Sequence, residues 1–375
     1  MNGCFRRIYE KWDASRYLYV NCIAFKFPKS HCTEEQAVML KIEREVKEVE
    51  NNCAGQIPAE VFESAEPLIL RGLVRDWPLT KLGLESFDEA SNYILKFYEN
   101  RPVNVALGDS ETSGRVFYNE DFTGFNYESL KVGMDKLLEK IGEHKEDTAP
   151  PAMYMASTMV DQWLPGFRKE NDIDVPGADP LVSIWMGNRS RIGAHYDLPD
   201  NIACSVIGRR RFTLFPPDQI SNLYPGPLDF SPGGQAISVV DFHNPDYQRY
   251  PKFRSALENA QLAELEPGDA VFVPSMWWHH VESLDPFNVL INYWWRQSPH
   301  FMSTPMSTLH HALLTIRDLP PRQRLAWKEI FNHYIFESNN ETNEHIPHEA
   351  RGVLGTLDED VARKLRSLVL NQLNR

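Results

Sequence analysis

No stretch of this 375-residue chain approaches the roughly 18 consecutive apolar residues that a membrane-spanning helix needs, so no span is expected. Cysteine is scarce. There are five, Cys4, Cys22, Cys32, Cys53 and Cys204, an odd number with no C-x-x-C pair. That pattern speaks against a disulfide scaffold or a zinc ribbon and suits a chain kept reduced in the cytoplasm. The N-terminus, MNGCFRRIYEKWDASRY, lacks the uninterrupted apolar stretch and small-residue cleavage site of a secretory signal. Positive charge is also in short supply: 39 Lys and Arg face 52 Asp and Glu, a net charge of −13. Nucleic-acid binding, which works by clustered cations releasing counterions, is therefore not expected. A small basic pocket for an anion stays compatible with that balance. Internal repeats and low-complexity tracts are missing as well.

What the chain does have is aromatic residues, with 9 Trp and 20 Phe, and short apolar runs punctuated by Pro and Gly. From residue 152 these runs recur at Ala152 to Ser157, Val182 to Met186, Ile202 to Ile207, Arg211 to Phe215, Ala270 to Pro274 and Val289 to Trp295. Regular short strands of this kind predict a jelly roll or sandwich. Long segments at 218–224 and 231–256 interrupt them, and loops of that length on a β scaffold usually line a site. Earlier, Pro67 to Val74 reads as a strand ending in a turn. Ser86 with Glu89 reads as a capping box opening a helix. Helices are also expected over Glu35 to Val49 and Leu130 to Ile141. After Arg296 the apolar spacing turns helical, through Met306 to Ile316, Leu325 to Tyr334, and Val361 to Leu373 behind an Asp358 cap. The expected organisation is a 1–45 extension, either flexible or the product of an early start codon; a 46–151 α/β lead-in; a 152–299 β core; and a 300–375 helical region. The fold class is mainly β with flanking helices.

Two segments far apart in sequence carry the chemistry. Ala194-His195-Tyr196-Asp197 sets a histidine and a carboxylate two residues apart, and on a strand such residues project from one face. Gly268 to Pro274 followed by Trp277-Trp278-His279-His280 supplies further histidines beside a second strand. Two His and one carboxylate on one face of a metal, with the other positions open, is the arrangement of non-heme Fe(II) oxygenases. His-x-acid alone is weak, since His144-Lys145-Glu146 matches it in a charged linker. Adjacent histidines on extended chain point to opposite faces, so at most one of His279 and His280 is a ligand, and spacing does not say which.

Ala194 to Asp197, Leu214-Phe215-Pro216-Pro217-Asp218-Gln219, Leu223-Tyr224-Pro225 and Trp277 to Ser283 together resemble the JmjC/cupin-like 2-oxoglutarate oxygenases. They are most similar to the subgroup containing the factor-inhibiting-HIF asparaginyl hydroxylase and to bacterial cupin-like domain proteins. The resemblance covers about residue 55 to the C-terminus. It implies a double-stranded β-helix core, Fe(II) held by His195, Asp197 and His279, and 2-oxoglutarate and O2 as cosubstrates. It further implies a hydroxylase acting on a protein or peptide side chain or a small molecule, and a homodimer formed through the C-terminal helices. A family lysine two residues after a glycine grips the far carboxylate of 2-oxoglutarate. Here Gly208 is followed by Arg209 and Arg210, so Arg210 takes that place, and the family's threonine three residues before the first ligand is Ile192. Tyr154, Asn201 and Asn292 match residues that hydrogen-bond the cosubstrate or sit near the iron, and Arg189 and Arg191 stand close by, facing either the site or local carboxylates. Because of Arg210 and Ile192, a catalytically silent cupin-fold binding module is the competing expectation.

Overall fold

The structure is a computed structural model that describes residues 40–49, 54–176 and 179–374. Two sheets form the core. The six-stranded sheet runs, edge to edge, Arg44–Glu45, Gln261–Leu265, Arg210–Phe215, Trp278–Ser283, Ser190–Tyr196 and Arg115–Val116. The nine-stranded sheet runs Lys47–Val49, Leu68–Leu70, Ala270–Val273, Asp200–Ile207, Asn288–Trp295, Leu181–Gly187, Ala152–Met159, Val103–Gly108 and Tyr127–Val132. Pairing is antiparallel except at Arg44–Glu45 with Gln261–Leu265, Lys47–Val49 with Leu68–Leu70, and Arg115–Val116 with Ser190–Tyr196. Paired sheets of short antiparallel strands are the expected jelly roll.

Burial explains why the central strands of the nine-stranded sheet read as continuous apolar runs rather than alternating ones. Every residue of Asp200–Ile207 is buried. One face, with Ala203 and Leu290, packs between the sheets against Phe212, Leu214 and Val281. The other, with Ile202, Cys204, Val289 and Ile291, packs on helices Pro78–Glu85, Phe87–Leu95 and Met134–Glu143 through Leu79, Ile94 and Leu138. A sheet covered on both sides has no solvent face to carry polar residues.

Three expectations need amendment. Residues 35–39 lie outside the described residues, and over 40–49 the chain is not helical: Arg44–Glu45 and Lys47–Val49 are strands. Val46 and Val49 are the buried positions of that stretch, and pairing with core strands overrides a weak helical pattern. The helix expected over Leu130 to Ile141 begins only at Met134, because Tyr127–Val132 is an edge strand and Gly133 breaks the chain between the two. Ser86 does cap a helix, its Oγ accepting from Glu89 N at 3.0 Å. The capping box stays half-made, since the Ser86 N–H closes the preceding helix onto Leu82 O at 3.0 Å.

Beyond Arg296 come helices Pro305–Thr315, Pro321–Phe331 and Glu359–Leu373, the last capped by Asp358 Oδ1. The first two bury no residue at all. No helix among the described residues is long and apolar enough to cross a membrane.

Candidate metal centre

The strand carrying His195 lies beside the strand carrying His279, and the two histidines face each other directly in the register. Their rings sit 4.3 Å apart between centroids. Asp197, just past the end of its strand, brings Oδ2 to 3.7 Å from His279 Nε2. One donor atom from each of the three residues lies within 4.8 Å of the other two. Among the described residues no other group of His, Cys, Asp or Glu gathers in this way.

The protein also settles which nitrogen each imidazole presents. His195 Nδ1 is 3.0 Å from Gly193 O, and His279 Nδ1 is 3.0 Å from Trp277 O. A carbonyl only accepts, so each Nδ1 carries the proton and each Nε2 keeps a free lone pair toward Asp197. Burial, with His195 alongside, pushes the His279 pKa down to about 4, which keeps the ring neutral near neutral pH. Two bare imidazole nitrogens and a carboxylate on one side of a common point fit a divalent ion of the Fe(II) type.

Spacing left open which of the paired histidines joins the site. His279 lines the cavity, while His280 faces the other way, 4.3 Å from Phe242 between ring centroids, with neither ring nitrogen hydrogen-bonded. It is a packing residue. His144, the rival in the His-x-acid pattern, sits at the end of helix Met134–Glu143 with Nδ1 2.7 Å from Asp147.

The three donors open into a cavity of about 680 Å³. Tyr154, Asn201, Arg210 and Asn292 all line it. Trp185 Nε1 donates to Asn292 Oδ1 at 2.8 Å, and Asn292 Nδ2 to Asn201 Oδ1 at 3.3 Å. Alternation along Arg209-Arg210-Arg211 separates the three cations. Arg209 pairs with Asp285 at 2.8 Å and Arg211 with Glu264 at 2.7 Å, both outside. Arg210 points inward, only 4% exposed, with its Nε unpaired and no carboxylate partner among the described residues. Burial pulls its pKa down to about 10, and it stays charged at neutral pH. Desolvation holds the nearby Tyr154 hydroxyl in its neutral form. Gly208 starts this strand at φ +74, where an added Cβ would meet Phe287 O at 2.6 Å, so the turn that aims Arg210 inward needs glycine.

Arg189 and Arg191 do not reach the cavity. Arg191 pairs with Asp241 at 3.1 Å and donates to Ser113 O and Thr112 O, while Arg189 donates to Leu284 O. Strict alternation from His195 would have turned Arg191 inward. A register shift sets Val281 opposite Ile192 although His279 is opposite His195, so the histidine strand holds an extra residue and the parity flips. Ile192 therefore lines the cavity and Arg191 faces away.

Two contacts on the aspartate were not anticipated. Gln235 Nε2 donates to Asp197 Oδ1 at 3.0 Å, and Trp294 Nε1 to Oδ2 at 3.1 Å. Trp294 was within reach of alternation, two residues beyond Asn292 on the same face. Gln235 lies in the long 231–256 segment, where no periodicity singles out one residue.

The cupin-like domain family model matches residues 54–301. The Jumonji C domain-containing protein 5 of Drosophila melanogaster is 28% identical over 247 residues, covering 64% of this chain and 57% of that protein. The lysine-specific demethylase JMJ31 of Arabidopsis thaliana is 30% identical over 269 residues, 64% and 47% of the respective chains. The HSPB1-associated protein 1 of Rattus norvegicus is 37% identical over 252 residues, 62% and 49%. The chain thus spans about half the length of these relatives. With the matched region enclosing both sheets' central strands and all three donor residues, this chain belongs to the cupin-like (JmjC) family of 2-oxoglutarate oxygenases.

Proposed function

We propose that this protein is an Fe(II)- and 2-oxoglutarate-dependent hydroxylase of a protein or peptide side chain. The observation that carries the reading is Arg210: a buried cation without a counter-charge among the described residues, in the same cavity as a two-histidine, one-carboxylate donor set. Leaving a charge buried and unpaired is costly. A ligand carboxylate supplies the missing partner, and the guanidinium fork suits it.

Nε2 of His195 and of His279 and a carboxylate oxygen of Asp197 would hold the ion. When bound, Fe(II) supplies O2 activation coupled to oxidative decarboxylation of 2-oxoglutarate, giving succinate, CO2 and a hydroxylated product. Arg210 anchors the far carboxylate, with the protonated Tyr154 hydroxyl as a second donor. Asn201 and Asn292 are tied to each other and to Trp185, which fixes their amides on the cavity wall. Ile192, Phe212, Val281 and Leu290 line the same space and exclude water from it. Ile192 offers no hydroxyl, so the anchoring load falls more heavily on Arg210. A polypeptide substrate accords with relatives named lysine-specific demethylases. With Cys204 a free, buried thiol, the cytoplasm is the proposed compartment.

Purified protein with Fe(II), ascorbate and 2-oxoglutarate is expected to form succinate and CO2 above the protein-free background. No turnover together with no 2-oxoglutarate binding would overturn the proposal in favour of a silent binding module.

The same chain is proposed to form a homodimer through its C-terminal helices. Two eleven-residue helices that bury nothing are too short to be stable alone in water. They expose Leu314 at 78%, Leu325 at 62% and, just beyond, Phe336 at 74%. A second copy burying these faces supplies what the other described residues do not. Sedimentation at micromolar concentration is expected to show a dimer, and Leu325→Asp with Phe336→Asp to give monomer. A monomeric wild-type protein refutes this.

A further inference from the structure

We propose that Gln235 is a positioning residue that fixes the orientation of Asp197 and thereby sets the metal affinity of the site. This rests on the reading of His195, Asp197 and His279 as metal ligands.

A carboxylate at the end of a strand can turn about its last bond and present either oxygen or both. Here each oxygen is held. Trp294, on a strand inside the nine-stranded sheet, donates to Oδ2, the oxygen nearer His279. Gln235 donates to Oδ1. Two donors on opposite oxygens fix the plane of the group, and neither carries a charge that would compete with a cation for it. An amide is well suited to this: a lysine or arginine there would neutralise Asp197, and a carboxylate would repel it.

The backbone around Gln235 supports the role. On its C-terminal side the chain is anchored to the histidine strand, with Ser238 N donating to Ala194 O at 2.7 Å, and to the neighbouring loop, with Gly226 N donating to Ile237 O at 2.8 Å. Ala236 and Ile237 are buried. On its N-terminal side stands Gly234, at φ +92 with open space where a Cβ would be. The donor is thus held next to the metal ligands by backbone bonds, with a glycine in the left-handed region directly before it and Phe230, packed on Phe125 and Tyr118, further back. Metal binding and order around Gln235 should be linked, each favouring the other.

The test uses Mn(II) under anaerobic conditions, followed by the electron paramagnetic resonance of the free ion, on the full chain. Gln235→Met keeps the length of the side chain and removes the donor. Its Kd for Mn(II) is expected to rise about tenfold, the low end for loss of an outer contact to a ligand, while the metal-free melting temperature stays at the wild-type value. Hydrogen exchange at residues 235–238 is expected to slow on Mn(II) addition in the wild type but not in the variant. If wild type binds Mn(II) and Gln235→Met binds it within twofold, the inference fails and the ligand assignment stands. If wild type binds none, the ligand assignment fails and takes the inference with it.

Discussion

Replacing His279 with alanine is expected to remove 2-oxoglutarate turnover by at least about a thousandfold, beyond the 10–100-fold typical of residues that only touch a ligand. Three donors are few, and the geometry has no substitute: His280, the adjacent imidazole, points to the opposite face against Phe242. A second readout separates loss of the metal from loss of the fold. An ion at a hundred times its Kd stabilises a native protein by about 2.7 kcal/mol, which for a chain of this size raises Tm by roughly 3–5 °C. Wild-type protein should show that rise with Mn(II) and the His279→Ala variant none. The metal-free variant should still melt cooperatively, because the lost ring faces the cavity and not the packed core. A His279→Ala protein that retains both the shift and the turnover removes this residue from the centre.

The contrast between the two histidines shows where sequence reasoning reaches its limit. A His-x-Asp on a strand is legible because alternation is local, and the structure does bring His195 and Asp197 to one cavity. Whether His279 or His280 meets them depends on how a strand more than eighty residues later lies in register, and register is a property of the whole sheet. The same limit explains Arg191. Both directions were open for it, and one extra residue in the ladder decided for the outward one. The outward Arg209 and Arg211 and the inward Arg210 followed the count because that strand pairs without a shift on either side.

Apart from Trp278–Ser283, where two histidines, Glu282 and Ser283 interrupt a fully buried strand, the β core was legible where strands buried on both faces appear as unbroken apolar runs. Its edges were not. Tyr127–Val132 pairs on one side only and is half exposed, so YESLKV carries the polar residues of a surface strand and merges by composition with the helix that follows. Missing it concealed Tyr127 and Ser129, and missing Val103–Gly108 concealed Asn104, all of them on the cavity wall. Gln235 was out of reach for a different cause: a loop residue acquires its role from the contact it makes, and no repeat in the local chain encodes that contact.

Arg210→Met should act in opposite directions on stability and on binding, which makes it the more discriminating of the two large effects. In the ligand-free protein Arg210 is a charge at 4% exposure with an unpaired Nε and no carboxylate partner among the described residues. Its desolvation is uncompensated, as the fall of its pKa to about 10 records. Methionine has a similar reach and fills the same space beside Phe212 without that cost. Unfolding by urea is expected to show the variant more stable by roughly 1–3 kcal/mol, within the range seen when buried ionic groups are replaced by apolar ones. Binding should move the other way. Removing one partner of a buried charge pair costs about 2–5 kcal/mol, so the Kd for 2-oxoglutarate should rise at least about thirtyfold. Because the far carboxylate is remote from the metal, the binding of Mn(II) alone should not change. Arg210→Lys keeps the charge but loses the two-pronged fork, and it should recover part of the affinity while forfeiting the gain in stability. Equal loss of stability and of affinity in Arg210→Met would mean that the guanidinium is a structural strut with a partner in the fold, and the cosubstrate's anchor would have to be sought elsewhere on the cavity wall.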